Sequence, residues 1–453
     1  RIPAGRRHRV AVDNQLDYMD HGSFLGLRAL GRQPLIQFVW IYDRHVDIDG
    51  LRRFQGNLGT GLLGRRIERS PVAFGRHRWV AEAGPVELDI AAAAARREEV
   101  WNWADARLRL RVDPENGPAW HLGVKPLTSG GAAVSLVVSH SIADGRAVSL
   151  AIADAVQGIR HDLGYPPPDS RRLPRAVIQD LAATARSLPD AARGVIAAIR
   201  TARAEMSSTP RRSGGRPKGL TVDADGPLDL PTATAWVDFG EWDSRAESLG
   251  GSSNSLFLGV VARLALGLGR LDGAGRAVLA LPVSDRVDGD TRGNALTVAK
   301  ISVDPAVITE SLVGIRRELA ASLASLPTRS KDLLAAMAVT PFTPKLLLRR
   351  LEAVAADLSD DVGCSNLGDC DPLINRPDGT DADWMAARSL EVPVTAAALD
   401  RMRGYLFVGS GRVHGRVFIT VGAWVAGGSN TKQHLRESLC GALSDMGVTG
   451  TLE

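Results

Sequence analysis

The sequence contains few cysteines, few aromatic residues and no long apolar run. Three of its 453 residues are cysteines, and aromatic residues make up 5%. Three cysteines cannot all pair with one another, and a chain of this size needs no disulfides, so reduced thiols in a reducing compartment are expected. No apolar stretch approaches the roughly 18 residues that a membrane-spanning helix requires. We therefore expect a cytoplasmic protein that does not cross a bilayer.

Lysine is also rare, because six of the 55 basic residues are lysines and the others are arginines. The net charge of +4 is unevenly distributed: the segment from Arg171 to Lys218 contains eleven basic and three acidic residues, a local balance of +8 that leaves −4 for the rest. This segment lacks the interleaved aromatic side chains on which single-stranded nucleic acids stack, and no zinc-finger or helix-turn-helix pattern accompanies it. Nucleic acid is therefore not an expected partner.

The length and the 44% hydrophobic content suit two globular units of about 200 residues each. Strand-like and helix-like segments are mixed in both halves, which predicts an α+β fold. We expect an N-terminal domain over residues 1–170, a basic helical connection over residues 171–231 and a C-terminal domain over residues 232–453. The connection is interpreted either as a surface helix pair that crosses between the domains or as a basic face that meets an anionic membrane or a carrier protein.

Among the individual elements, apolar periodicity predicts one long helix over residues 91–110 and two helices over residues 310–326 and 331–356. Several familiar motifs fail on their context. Gly59, Gly61 and Gly64 have the spacing of a dinucleotide fingerprint, but they follow a helical pattern and no strand. Cys364 and Cys370 lack the paired spacing of a zinc site. We therefore expect no bound metal. No phosphate-binding loop is present, and no nucleophile elbow is present either, so a serine hydrolase is not expected.

The clearest local signal is a strand, a polar turn and a helix in succession. Residues 132–138 have the composition of a fully buried strand, residues 139–145 (SHSIADG) form a turn, and residues 146–159 form an amphipathic helix. His140 lies where the strand meets the turn, and a histidine held there can present one ring nitrogen to a cavity as a general base near neutral pH. The alternative is a packed histidine beside a helix-capping Asp144.

This turn resembles the H-H-x-x-x-D-G motif of the coenzyme A-dependent acyltransferase superfamily. That superfamily includes nonribosomal peptide condensation domains, polyketide-associated acyltransferases and wax ester synthase/diacylglycerol acyltransferases. Further segments resemble the wax ester synthase branch and follow in its order: residues 19–24 (MDHGSF), 47–51 (DIDGL), 76–80 (RHRWV), 282–286 (PVSDR), 293–294 (GN) and 364–368 (CSNLG). The resemblance covers nearly the whole chain.

The resemblance implies two chloramphenicol acetyltransferase-like domains that form a V with an active-site tunnel between them. It also implies an enzyme that moves an acyl group from an acyl-CoA thioester to a hydroxyl acceptor, a small molecule or a lipid, as in wax ester or acylglycerol formation. Acyl-CoA is then a substrate, and no tightly bound cofactor is expected. Two alternatives stay open: a stand-alone condensation-like enzyme that uses an acyl carrier protein and an amine or alcohol, and a non-catalytic binder of acyl ligands.

The resemblance assigns roles to individual residues as well. His140 is the implied general base. Asp144 is expected to turn away from the substrate and to pair with Arg286, and Gly145, the next residue of the motif, supports the same turn. Ser365 and Asn366 are expected to line the tunnel and to stabilise the oxyanion. Their alternative is an Asx-type turn without a catalytic part.

The sequence departs from the family pattern in two places. Ser139 replaces the first histidine of the motif, and Asn254-Ser255 replaces an Asn-Asp pair in the second half. A hydroxyl cannot reproduce every hydrogen bond of an imidazole. An altered substrate, a weakened activity and a repurposed pocket are therefore all compatible with the sequence.

Overall fold

The computed structural model describes residues 13–82, 84, 86–208, 226–350 and 361–453. Helices and strands alternate irregularly along the first half of these residues. The elements there are α1 (Tyr18–Leu30), β1 (Gln33–Tyr42), α2 (Ile48–Leu58), β2 (Arg65–Glu68), β3 (Arg78–Ala81), β4 (Leu88–Ile90), α3 (Val100–Arg107), β5 (Trp120–Pro126), β6 (Ala132–Ser139) and α4 (Gly145–Gln157).

A long helix leads from this half into the second one. The elements that follow are α5 (Leu173–Ser208), β7 (Thr232–Asp238), α6 (Phe239–Ser248), α7 (Ser253–Gly267), β8 (Ala277–Ser284), β9 (Leu296–Val303), α8 (Val313–Met337), β10 (Val362–Asp369), β11 (Trp384–Val392), α9 (Ala396–Arg401), β12 (Tyr405–Val413), β13 (Arg416–Trp424), α10 (Lys432–Asp445) and β14 (Thr451–Leu452).

A five-stranded sheet with the order β11-β1-β6-β5-β4 organises the first half. Strand β6 lies at its centre, is antiparallel to both neighbours and is buried along its whole length. Its apolar composition follows from this position, because a strand covered on both faces has no solvent side to keep polar. Trp40 and Trp120 are among the largest fully buried side chains of the surrounding core. The backbone of His140, which directly follows β6, is therefore anchored to a buried strand.

The second half is organised by a seven-stranded mixed sheet with the order β14-β7-β13-β12-β10-β8-β9. Strand β10 is parallel to β8 and to β12, and the other pairings are antiparallel. A second hydrophobic core packs around helix α7, whose residues are buried on nearly all sides. The two sheets with their helices make up the mixed α+β fold that the composition predicts.

One strand of the second half belongs to the first sheet. Strand β11 pairs antiparallel with β1, with Trp40 opposite Met385 in the register. Arg388 of β11 donates hydrogen bonds to Gln37 at 2.7 Å and to Asp105 at 2.6 Å, so the strand is also tied to the first half by buried polar side chains. The three-part division of the chain stays a prediction, and β11 is a crossing that sequence patterns did not indicate.

Two helix predictions are wrong in their extent. Only residues 100–107 of the predicted helix over 91–110 form α3, because β4 pairs with β5 up to Ile90 and Ala95 bridges to Leu127. The backbone N–H of Arg96 donates to the Glu99 side chain, which marks the true start of helical structure. The predicted helices over 310–326 and 331–356 are joined at Pro327 in one helix, α8, that ends at Met337. The later part of the second prediction is helical again over residues 345–350. Residues 351–356 of that prediction lie outside the described residues.

Helix α5 is a single helix of 36 residues instead of a helix pair. Its buried face carries small or polar residues, and Gly194 lies so close to α8 that an added Cβ would be 2.6 Å from the carbonyl oxygen of Ala335. Its large apolar side chains are exposed instead: Ile178, Leu181, Leu188, Val195, Ile196 and Ile199. The close approach of α5 and α8 thus requires small residues between them and leaves the bulky ones outside.

Within the part of the chain that the structure describes, no single helix combines the length and the apolar composition needed to cross a bilayer. Helices α6 and α7 satisfy both conditions only when taken together, and they are bent by 85° at the break between them.

Candidate active site

His140 is held by the strands on both sides of β6. Its backbone N–H donates to the carbonyl oxygen of Pro34 on β1 at 3.1 Å, and the N–H of Ser139 donates to Ala119 at 2.9 Å. The strand ends here, and the chain turns into α4 five residues later. His140 itself is only half-buried. The structure thus places a histidine on a rigid support with part of its side chain accessible.

A side chain of the second half fixes the imidazole ring. Nδ1 of His140 lies 2.8 Å from Oδ1 of Asn294. The orientation of the Asn294 amide follows from its other contacts, because its Nδ2 lies 3.1 Å from two acceptors, the carbonyl oxygen of His140 and a carboxylate oxygen of Asp20. With the amide nitrogen turned to these acceptors, the amide oxygen faces the ring, so Nδ1 carries the hydrogen. The neutral ring then keeps its lone pair on Nε2, which has no hydrogen-bond partner among the described residues.

Asp20 anchors the segment that carries Asn294. It lies in the first turn of α1 and is fully buried. Its carboxylate accepts hydrogen bonds from the backbone N–H groups of Gly293 at 2.8 Å and of Asn294 at 2.7 Å, across 273 positions of sequence. A Cβ on Gly293 would lie 2.9 Å from an Asp20 oxygen and 3.0 Å from the carbonyl oxygen of Ile142. Position 293 therefore requires glycine, because any side chain would displace this contact.

Asp144 caps α4 and joins the two halves. One carboxylate oxygen accepts from the backbone N–H of Ala147 at 2.7 Å, as an N-cap residue does. The other accepts from the guanidinium of Arg286 at 2.7 Å and from the backbone N–H of Ala295 at 2.9 Å. Both side chains of the ion pair are only 4% exposed. The carboxylate is fully engaged with these donors, so the structure gives it no part in positioning the ring of His140.

The Nη atoms of Arg286 also hold the neighbouring loop. They donate to the carbonyl oxygens of Arg292 at 2.9 Å and of Gly293 at 3.0 Å. Arg65 of β2 lies beside the same loop, donates to the carbonyl oxygens of Thr291 and Ile142, and stacks on the Trp79 ring at 3.8 Å. Two buried guanidinium groups therefore tie the loop around residue 293 to the turn after His140.

Ser139, at the place of the first family histidine, points into the protein. It is fully buried, and its hydroxyl donates to Oε1 of Gln33 at 2.7 Å and accepts from the backbone N–H of Ser141 at 3.3 Å. Neighbouring residues of a strand face opposite sides, which places Ser139 away from the side chain of His140. A serine in place of the family histidine therefore affects the buried hydrogen bonds beneath the turn, to Gln33 and Ser141.

Asn366 forms a turn that reaches the start of α4. Its Oδ1 accepts from the backbone N–H of Gly368 at 2.9 Å, which is an Asx turn, and its Nδ2 donates to Asn254 at 2.9 Å. A methyl carbon of Leu367 lies 3.4 Å from the place where Gly145 would carry a Cβ. The turn that carries Ser365 and Asn366 thus lies next to the motif helix, while a role of their side chains toward an oxyanion stays a prediction.

Three other buried or half-buried side chains with reactive chemistry, His21, His77 and Cys370, are kept neutral by their surroundings. Burial lowers the pKa of His21 to about 3, and the neighbouring His77 and Arg76 lower it further. Burial likewise lowers the pKa of His77 to about 4, together with the charge of Arg69. Burial raises the pKa of the Cys370 thiol to about 11, so that it is protonated at neutral pH. Among the described residues, no three His, Cys, Asp or Glu side chains are grouped as metal ligands.

Sequence reasoning identified His140, Asp144 and Arg286 but assigned no role to Asp20 or Asn294. Both stand inside segments that resemble the family, residues 19–24 and 293–294. An aspartate in the first turn of a helix has a routine explanation, because it interacts favourably with the helix dipole. Their position inside these segments was the one sequence feature that could have indicated a role for Asp20 and Asn294. Their contact joins residues more than 270 positions apart and is seen only in the folded structure.

Comparison with known proteins identifies the fold. No protein-family model and no curated protein sequence matches the chain. The first condensation domain of the calcium-dependent antibiotic synthetase, in complex with a substrate analogue, is similar with a TM-score of 0.57 and 16% identity, over 96% of this chain and 99% of that one. TRI101 of F. sporotrichioides, complexed with coenzyme A and T-2, is similar with a TM-score of 0.56 and 11% identity, over 97% and 99% of the two chains.

A third similar structure is polyketide synthase associated protein 5 from Mycobacterium tuberculosis, with a TM-score of 0.52 and 14% identity, over 96% of this chain and 98% of that one. Identities this low establish the fold and leave the reaction open. The V-shaped arrangement and its tunnel stay expectations from the sequence resemblance. The similarity over nearly the full length confirms the predicted α+β fold class: this chain has the fold of the condensation domain of the calcium-dependent antibiotic synthetase.

Proposed function

We propose that this protein is an acyltransferase that moves an acyl group from an acyl-CoA thioester to a hydroxyl acceptor, with His140 as the general base. The observation that carries the proposal is the state of the His140 ring. Asn294 holds the hydrogen on Nδ1, so Nε2 keeps its lone pair, and the side chain is half-exposed at the end of a buried strand. A histidine that only packed would be buried on both ring nitrogens, as His121 is between Arg107 contacts.

The proposed reaction needs no covalent enzyme intermediate. Nε2 of His140 takes the proton from the acceptor hydroxyl while the acceptor oxygen forms a bond to the thioester carbonyl carbon. The carbon–sulfur bond then breaks, and the protonated Nε2 returns its proton to the leaving thiolate. The ester and free coenzyme A are the products, and the imidazole is again neutral.

The donor and the acceptor are inferred from what similar folds bind. TRI101 has a similar fold and was solved with coenzyme A and T-2, which supports an acyl-CoA donor. Its sequence is only 11% identical to this chain, so the support comes from the shared fold and not from the sequence. We propose a small-molecule or lipid alcohol as acceptor, with ester formation of the wax ester or acylglycerol type. A lipid acceptor would bring the protein to a membrane surface through the segment Arg171–Lys218, of which residues 209–218 lie outside the described ones.

A second candidate is a condensation-like reaction with a carrier-protein thioester and an amine or alcohol. Two observations favour it. The fold is that of a condensation domain over nearly its full length, and helix α5 exposes the guanidinium groups of Arg175 and Arg186 without a partner among the described residues. Exposed positive charge speeds the encounter with an acidic partner.

A third candidate is a binder of acyl ligands without turnover, which the loss of the first motif histidine motivates. The contacts of Ser139 argue against it, because the serine faces the buried Gln33 and leaves the ring of His140 in place. A bound acyl ligand without product, whichever acceptor is supplied, would favour this candidate.

The test measures release of free thiol from a panel of acyl-CoA donors and from acyl-carrier-protein donors, with long-chain alcohols, diacylglycerol or amines as acceptors. The protein is compared with His140→Ala and with His45→Ala, which removes an exposed histidine and serves as the matched control. We expect thiol release that requires an acceptor, persists in His45→Ala and falls by roughly 10²- to 10⁴-fold in His140→Ala, the range that general-base catalysis supplies.

The outcomes separate the candidates. Equal thiol release from the protein and its His140→Ala variant would overturn the role of His140. Turnover with carrier-bound donors alone would establish the condensation-like reaction, and turnover with neither donor class would leave the ligand binder.

A further inference from the structure

We propose that Asp20 is a positioning residue for His140, acting through Asn294 from its ionised form. This inference rests on the proposed function, since it concerns the base of that reaction. Asp20 makes no hydrogen bond to the imidazole ring, whose Nδ1 contacts Asn294 instead. Its effect is to hold one amide side chain in the orientation that decides which nitrogen of His140 carries the hydrogen.

The geometry requires a carboxylate at position 20. Its oxygens accept three hydrogen bonds from two consecutive residues, from the backbone N–H groups of Gly293 and Asn294 and from Nδ2 of Asn294, at 2.7 to 3.1 Å. An ionised carboxylate has acceptor sites for all three donors. A protonated acid or an amide would turn at least one donor toward these N–H groups and lose a bond there. Asp20→Asn therefore reproduces the size of Asp20 and the hydrogen-bonding fault of its protonated form.

The amide orientation that Asp20 imposes on Asn294 determines which atom faces the ring of His140. Its two Nδ2 hydrogens are used by Asp20 and by the carbonyl oxygen of His140, which leaves Oδ1 for Nδ1 of the ring at 2.8 Å. If Asp20 stops accepting, the amide loses one of the two contacts that define its orientation. A flipped amide would present Nδ2 to the ring and would favour hydrogen on Nε2, where the lone pair is needed.

The surroundings of Asp20 make its charge sensitive to pH. Burial raises the pKa of Asp20 to about 6, and the opposing influences are the charge of Arg65 and the three donors of the 293–294 segment. The other charged or titratable groups nearby are the Asp144–Arg286 pair on the far side of the same segment, His140 at the end of β6 and His21 on α1 itself. His21 stays neutral, since its own pKa is about 3. Asp20 thus ionises just below neutral pH.

This property distinguishes Asp20 from a merely structural carboxylate. Groups that only stabilise a fold are usually ionised well below neutral pH, because their partners lower the pKa. Asp20 forms no ion pair among the described residues, and its negative charge is less favourable in the folded than in the unfolded chain. A carboxylate in such a place points to a functional role.

The experiment reads the tautomer of His140 directly. Nitrogen-15 NMR of the histidine side chains, with His140→Ala for assignment, is recorded on the protein and on three variants: Asp20→Asn, Asn294→Ala and Asp17→Asn. Asp17 caps the same helix and accepts no hydrogen bond from the 293–294 segment, and asparagine can replace it as a cap, which makes it the matched control. Circular dichroism shows which variants are folded.

We expect hydrogen on Nδ1 of His140 in the protein and in Asp17→Asn, and hydrogen on Nε2 or a mixture in Asp20→Asn and Asn294→Ala. If turnover is found, Asp20→Asn should lower kcat by roughly 10²-fold with KM little changed, the size of effect that a general base supplies. The acid side of its pH profile should then lose the ionisation that Asp20 contributes in the unmodified protein.

An unchanged tautomer in both folded variants, Asp20→Asn and Asn294→Ala, would overturn the inference. If one of them fails to fold, the other decides alone. Because the NMR signal does not depend on turnover, absence of acyltransferase activity would count against the proposed function and would leave the relation between Asp20 and His140 to be judged by the tautomer.

Discussion

The loop around Gly293 and the surface of helix α5 are both rich in polar groups, but they are built in opposite ways. At the loop, Asp20, Asp144 and Asn294 are buried, and each makes several hydrogen bonds that join segments far apart in sequence. On α5 the arginines are exposed and the large apolar side chains point outward. Helix α5, which belongs to the most positively charged segment of the sequence, therefore has fewer hydrogen bonds that fix its charged side chains than the loop has.

The comparison teaches that local charge density is a poor guide to the site. Exposed charges are solvated and contribute little to stability, whereas buried charges must have partners. Changes at the loop should therefore have large effects, and similar changes on α5 should have small ones. The following predictions test this contrast, from the largest expected effect to the smallest.

Arg286→Ala should cause the largest loss of stability. It leaves the buried Asp144 carboxylate without its ion-pair partner, which costs about 3 to 5 kcal/mol. Chemical denaturation measures the effect. Arg193→Ala on α5 is the control, since Arg193 pairs with Asp190 at 2.7 Å while both are largely exposed, and it should cost about 1 kcal/mol or less. Equal losses in the two variants would erase the contrast between the regions.

The pH dependence of stability should show the unfavourable charge of Asp20. Its folded pKa, about 6, lies above the ordinary value of 3.8 for an aspartate, so the folded state binds the proton more tightly. Stability should therefore fall by roughly 2 to 3 kcal/mol as pH rises from about 4 to about 6. The measurement is the unfolding free energy against pH for the protein and for Asp20→Asn, in which this slope should be absent.

Asp113 provides the opposite sign for comparison. Hydrogen bonds from Arg111, Asn116 and Glu115 lower its pKa to about 2 against the effect of burial. Its contribution to stability is present above its unfolded pKa of about 4 and is lost as pH falls toward 2. A difference curve for Asp113→Asn that rises with pH, beside one for Asp20→Asn that behaves oppositely, would support both assignments; slopes of the same sign would contradict one of them.

Gly293→Ala should destabilise the loop by about 1 to 3 kcal/mol, because the new methyl group would overlap an Asp20 oxygen and the Ile142 carbonyl oxygen. Thermal unfolding measures this loss. Gly26→Ala in the middle of α1 is the control. An added Cβ at Gly26 meets nothing within 4 Å, so alanine should stabilise the helix by about 0.5 to 1 kcal/mol. A neutral Gly293→Ala would show that the contact with Asp20 is loose.

Ser139→Ala should cost about 1 kcal/mol, since Oε1 of the buried Gln33 loses its donor. The ring of His140 should keep its contact with Asn294, so turnover should change less than stability does. Denaturation and thiol release measured on the same sample check both statements. A loss of turnover as large as that of His140→Ala would assign Ser139 to the reaction itself.

The smallest effect on stability is expected on α5. Arg175→Glu together with Arg186→Glu should change the unfolding free energy by about 0.5 kcal/mol or less, because both side chains are exposed and neither has a partner among the described residues. The same double variant should slow a reaction with an acidic carrier-protein donor and leave a reaction with acyl-CoA unchanged. Slowing of both reactions alike would place the arginines in a role other than carrier docking.

The strand, turn and helix around His140 could be predicted from sequence because all the information is local. A fully apolar strand, a polar turn and a capping aspartate follow one another within about 25 residues, and each is determined mainly by its own composition. The pairing of Asp144 with Arg286 came from the family resemblance, and the structure brings the two side chains together at 2.7 Å.

The predictions that went wrong depended on contacts between distant segments. The helix expected over residues 91–110 is shorter because β4 and Ala95 pair with β5 and Leu127 instead. Helix α8 continues through Pro327, since its packing against α5 and β9 offsets the lost backbone hydrogen bond. Strand β11 was missed because its pairing with β1 joins residues more than 300 positions apart.

The sequence by itself determined which histidine could act as a base, the α+β class and the family resemblance, because motif spacing and apolar periodicity are properties of neighbouring residues. The tertiary structure decided the state of that histidine. Asp20, Asn294 and His140 come from three separate segments, and hydrogen bonds of about 3 Å between them exist only after both halves of the chain have folded around the same loop.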